Sequence, residues 1–81
     1  AGRATLGEQL LAQQRLTEAE AARAALADLR YRNGAASFLE VLDAQRVYRA
    51  ARAELIAARY ELATAWVEIE RLRAIPGGKT E

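Results

Sequence analysis

From Val41 to Leu72 the chain carries an unbroken seven-residue repeat. With Val41 at position a, the a positions are Val41, Tyr48, Leu55, Leu62 and Ile69, and the d positions are Ala44, Ala51, Ala58, Ala65 and Leu72. All ten are apolar or aromatic over five heptads. An apolar period of 3.5 residues belongs to a helix that supercoils left-handedly against another helix. Alanine at four of the five d positions lets the two helices approach closely. The repeat therefore demands a helical partner.

The partner lies upstream, across a turn. Asn33-Gly34 follows a strongly helical segment, and glycine just past a helix end adopts positive φ without a Cβ clash, so it stops the helix and re-aims the chain. Ser37-Phe38-Leu39-Glu40 then reads as a capping box: the Ser37 hydroxyl accepts from the Glu40 N–H, and the Glu40 carboxylate accepts from the Ser37 N–H. A stop and a start this close predict an αα-hairpin. One long helix with a frayed middle is the alternative, since an interior glycine costs only ~1 kcal/mol.

The fold class read from these signals is all-α, an antiparallel two-helix coiled-coil hairpin. Its first arm covers about 4–31, the tip turn 32–36, the second arm about 37–74 and the tail 75–81, where Ile75-Pro76-Gly77-Gly78 stops the helix. Thr5, with Glu8 three residues on, is the candidate cap of the first arm, whose opening turns are weakened by Gly7. The apolar stripe of that arm reads as Leu16, Ala19, Ala22, Leu26 and Leu29, with Arg23 at its edge.

Alanine fills 20 of the 81 positions and buries little area, so a lone hairpin has a thin core. Chains of this size usually need staples or partners, and with no cysteine there is no disulfide. Phe38, Leu39, Leu42, Val47, Ile56, Tyr60, Trp66 and Val67 fall outside the seam. A helix that is apolar on several sides belongs in a bundle or barrel with neighbours on both flanks. The start at Ala1 and the absence of methionine suggest a piece of a longer protein.

Several function classes are set aside by composition. Twelve basic and eleven acidic residues give a net charge of +1, with no general pull toward nucleic acid or anionic membrane. Arg46, Arg49 and Arg52 form a short basic stripe, but no aromatic residues interleave it for base stacking. No apolar run approaches the ~20 residues of a membrane-spanning helix. Without histidine or cysteine the common bases and nucleophiles are missing, no glycine pattern cradles a phosphate, and neither enzyme activity, cofactor nor metal is expected.

One arrangement of charge stands out. Glu40 and Asp43 lie three apart, which puts both carboxylates on one helix face, and Asp43 is three from Arg46, within reach of a local ion pair. Solvated surface charge is the plain reading of each, and the cap gives Glu40 a second. Repeated around an axis, the two carboxylates would make stacked acidic rings, which attract cations in a pore.

The stretch YRNGAASFLEVLDAQR resembles the TolC-like outer-membrane efflux proteins, through Tyr31, Gly34, Ser37, Val41, Leu42, Asp43, Ala44, Gln45 and Arg46. The likeness continues more loosely to Arg73 and back into the first arm. It implies a homotrimer with a β-barrel in the outer membrane and a helical barrel through the periplasm, this segment being the helical end of the second of two repeats. The turn (Asn33, Gly34, Ala35, Ala36, Ser37 and Phe38) would be the periplasmic tip that docks a periplasmic adaptor (membrane fusion) protein and, through it, an inner-membrane transporter. Asp43, with Glu40, would line the constriction, and Arg46 would form ion pairs in the closed state. The β-strands and the other repeat are not in this sequence, and Ile75-Pro76-Gly77-Gly78 stands where many relatives have a Leu-Gly-Gly-type ending. A structural coiled-coil hairpin or oligomerisation module without a pore fits the heptads equally well.

Overall fold

A computed structural model of the chain describes residues 2–74. The stop at Ile75-Pro76-Gly77-Gly78 and the tail lie outside the described residues. Two α-helices, α1 (Leu6–Arg32) and α2 (Phe38–Ala74), pack against each other as an antiparallel hairpin. The all-α hairpin read from the sequence is the observed fold, and the single-helix alternative is not.

The start of α1 is fixed locally. Thr5 is extended (φ −71°, ψ 165°), its hydroxyl accepts from the Glu8 N–H at 3.0 Å, and the Glu8 carboxylate accepts from the Thr5 N–H at 2.9 Å. This is a complete capping box, worth about 1 kcal/mol. Ser37 makes only half of one. Its Oγ accepts from the Glu40 N–H at 3.2 Å, but among the described residues no bond returns from the Ser37 N–H to the Glu40 carboxylate. That carboxylate lies instead along a groove between the helices, described below.

The heptad seam of α2 faces α1. Val41, Ala51 and Leu55 are its buried apolar residues, and Ala44, Tyr48, Ala58, Leu62 and Ala65 are half-buried. The facing seam of α1 is not the leucine stripe. Leu16, Ala19, Ala22, Leu26 and Leu29 are all exposed, Leu26 by 56%. The α1 residues turned inward are Leu6, Leu10, Gln13, Thr17, Glu20, Ala24 and Ala27, alternating by four and three along the helix, with Gln14, Ala21 and Asp28 half-buried beside them.

Polar residues hold the middle of that seam for a physical reason. Opposite them the α2 seam carries the small Ala51, between Tyr48 and Leu55, so side chains of α1 reach its carbonyl. Gln13 Nε2 donates to the Ala51 carbonyl at 2.9 Å. The Thr17 hydroxyl, on a residue only 7% exposed, shares its proton between the Gln13 carbonyl at 2.7 Å and the Ala51 carbonyl at 3.2 Å. A leucine at Thr17 would have no donor for either carbonyl.

The two helices are unequal, 27 against 37 residues, or roughly 40 and 55 Å at ~1.5 Å per residue. Counting back along the antiparallel pair from Thr17 and Ala51 sets Leu6 level with about Leu62. The last turns of α2 therefore continue the seam with no partner among the described residues, and Ile69 and Leu72 are exposed. Trp66 and Val67 beside them are exposed too, as are Phe38, Leu39, Leu42, Ile56 and Tyr60. Three buried apolar side chains make the thin core that the alanine content predicts.

Candidate functional site

The candidate site is the closed end of the hairpin with the first two turns of α2. The chain leaves α1 through a Schellman motif. Gly34, at φ 76°, sends its N–H to the Tyr31 carbonyl at 3.0 Å, and the Ala35 N–H reaches the Arg30 carbonyl at 2.7 Å. These two bonds satisfy carbonyls that a helix end otherwise leaves open. Asn33 Nδ2 donates to the Leu29 carbonyl at 2.9 Å, and Arg30 Nη2 donates to the Ala35 carbonyl at 3.0 Å, so the tip is tied to α1 on both sides. The Tyr31 and Phe38 rings bridge the two helix ends, with centroids 5.4 Å apart and planes tilted by 50°. Aromatic pairs at that distance and tilt add about 0.5–1.5 kcal/mol beyond area burial. Of the six tip residues only Ala36 is half-buried, while Asn33, Gly34, Ala35, Ser37 and Phe38 are exposed. The turn is thus an ordered, hydrogen-bonded knob rather than a floppy loop.

Glu40 and Asp43 share one face of α2, as their spacing predicts, and both line a groove of about 260 Å³ between the helices. Asp43 accepts from Arg46 Nη2 at 2.7 Å, so the local ion pair is present. Its side chains are 64% and 74% exposed, where such a pair contributes roughly 0–1 kcal/mol. The partner of Arg46 is on its own helix. The opposite wall of the groove is α1, with Arg23, Leu26, Ala27 and Arg30. Arg23 is held by Glu20 at 3.0 Å, a carboxylate only 14% exposed. Among the described residues no ion pair within 4 Å crosses the groove from α1 to α2.

Sequence reasoning placed Arg23 at the edge of a stripe on the wrong face and gave Arg30 no role. Their signal is legible only once the seam is known. Both then lie on one flank of α1, one heptad apart, and the antiparallel register lays that flank beside Glu40 and Asp43. The groove holds two carboxylates and two guanidiniums. Among the described residues no cluster of His, Cys, Asp and Glu would hold a metal, and no helix is long and apolar enough to cross a membrane.

Neither a comparison with curated proteins nor one with solved structures returns a match. The sequence model of one protein family, described as outer membrane efflux protein, matches residues 1–74. That span takes in both helices, the Schellman turn and the acidic pair, and it agrees with the resemblance carried by the stretch from Tyr31 to Arg46. The chain belongs to the outer membrane efflux protein family.

Proposed function

We propose that this hairpin is the periplasmic tip and gate region of a trimeric outer-membrane export channel, and that the turn from Asn33 to Phe38 docks a periplasmic adaptor which links it to an inner-membrane transporter. Cargo passes through the trimer's pore without chemical change. The observation that carries the reading is the juxtaposition at the closed end: a rigid, exposed turn, followed within two helical turns by Glu40 and Asp43.

The mechanism is electrostatic and mechanical. Glu40 and Asp43 narrow and charge the entrance, and Arg46 pairs across to neighbouring helices in the closed state. Adaptor docking at the tip moves the hairpins outward. A seam with three buried apolar residues suits that movement, since repacking it costs less than repacking a full core. The exposed leucines of α1 and the exposed apolar residues of α2 supply faces for neighbours on both flanks of the hairpin.

Single-channel conductance of the whole protein in a planar bilayer tests this, comparing the wild type with Asp43→Ala and with Asp43→Ala combined with Glu40→Ala. The expected result is higher conductance and weaker cation preference in the variants. Channels unchanged in both respects would make these carboxylates ordinary surface charge and remove the gate. A protein that forms no channel at all would leave a structural coiled-coil hairpin as the better description.

A further inference from the structure

We infer that Arg23 and Arg30 are the built-in counter-charges of the Glu40 and Asp43 pair, and that they weaken the cation preference those acids give the entrance. The inference rests on the gate reading above and adds to it two residues of the other helix.

The geometry is that of the inter-helix groove. Four charged side chains line its 260 Å³, two guanidiniums from α1 and two carboxylates from α2. None is bonded across it. Arg23 leans on Glu20, Asp43 on Arg46, and Arg30 on the Ala35 carbonyl. Charges that share a wet groove without touching still act on one another, and on a mobile ion in the groove, through the field. An acidic pair read from α2 alone would attract cations and repel anions. The same pair read with α1 shares its groove with two positive charges, so the entrance prefers cations less strongly than the acids alone would make it. Arg30 also fastens the tip to α1, so the residue that balances the acids is mechanically joined to the turn.

The test uses the whole protein in a planar bilayer under a salt gradient, reading the cation-to-anion permeability ratio. Arg23→Gln with Arg30→Gln is compared with Glu40→Gln plus Asp43→Asn, with all four changes together, and with Arg23→Lys plus Arg30→Lys. Removing the arginines should raise cation preference by up to about threefold per charge, the Boltzmann factor at the ~7 Å where a unit-charge interaction in water equals RT, less whatever salt screens. Removing the acids should lower it, the fourfold variant should fall between, and the lysine variant, which keeps the charge, should match the wild type. If the acid variants shift the ratio and the arginine variants do not, the counter-charge inference fails while the gate reading stands. If neither set shifts it, both fail. A lysine variant that behaves like the glutamine one would show that tip geometry rather than charge is responsible, and would also overturn the inference.

Discussion

Gly34 has φ of 76°, and no heavy atom lies within 4 Å of the place where a Cβ would sit. Gly34→Ala therefore introduces no collision with the rest of the hairpin, and its cost is that of the backbone alone. An L-residue in the left-handed region costs roughly 1–2 kcal/mol. Alanine also restricts the unfolded chain, which favours folding by about 0.4–1 kcal/mol. The net expectation is a destabilisation of about 1 kcal/mol. The turn has an alternative, which is to leave the left-handed conformation and give up the Schellman bonds. It would then lose the Gly34 to Tyr31 bond at 3.0 Å and the Ala35 to Arg30 bond at 2.7 Å, each worth about 0.5–1.5 kcal/mol, and would disturb the Tyr31 and Phe38 ring contact. That sum exceeds the strain, so the alanine variant should keep the turn and accept the strain. Urea unfolding followed by helix ellipticity measures the total, and amide exchange at Ala35 reports whether its hydrogen bond survives. Gly34→Asn, which tolerates the left-handed region, should sit near the wild type, and Gly34→Val should fall below alanine. An alanine variant as stable as the wild type, or one whose Ala35 amide exchanges freely, would refute the reasoning.

Two further substitutions probe the seam and the open end. Ala51→Leu puts three extra carbons where Gln13 and Thr17 of α1 reach the α2 backbone, and it should cost about 2–3 kcal/mol through overpacking and separation of Gln13 and Thr17 from the carbonyl. Ala53→Leu on the exposed face should be within about 0.5 kcal/mol of neutral, and equal urea midpoints for the two would show that the helices are not closely apposed at Ala51. Thr5→Ala removes the hydroxyl that caps α1 and should cost about 1 kcal/mol, with faster amide exchange at Glu8 and unchanged protection near the tip. Loss of protection at both ends would mean that the hairpin opens as one unit rather than fraying from Thr5.

What the sequence determined was local or periodic. The seam of α2 is written in ten apolar positions, and burial follows it from Val41 to Ala65 before the partner helix runs out. The stop at Gly34 and the cap at Thr5 were legible because each is settled within about five residues by φ and by which hydroxyl meets which N–H. The spacing of Glu40, Asp43 and Arg46 likewise put the two acids on one face and the Asp43 ion pair in reach.

Tertiary structure decided which face of α1 turns inward. In a helix rich in alanine several stripes have similar hydrophobicity, and the leucine stripe was the obvious one. The observed seam runs instead through Gln13, Thr17 and Glu20. With Ala51 opposite, Gln13 and Thr17 reach the Ala51 carbonyl, a contact that leucine in their place could not make. Propensity, caps and spacing act along one chain segment, whereas the fit of two surfaces exists only once both are present. The same fit sets the register, and the register carries Arg23 and Arg30 to the carboxylates of Glu40 and Asp43.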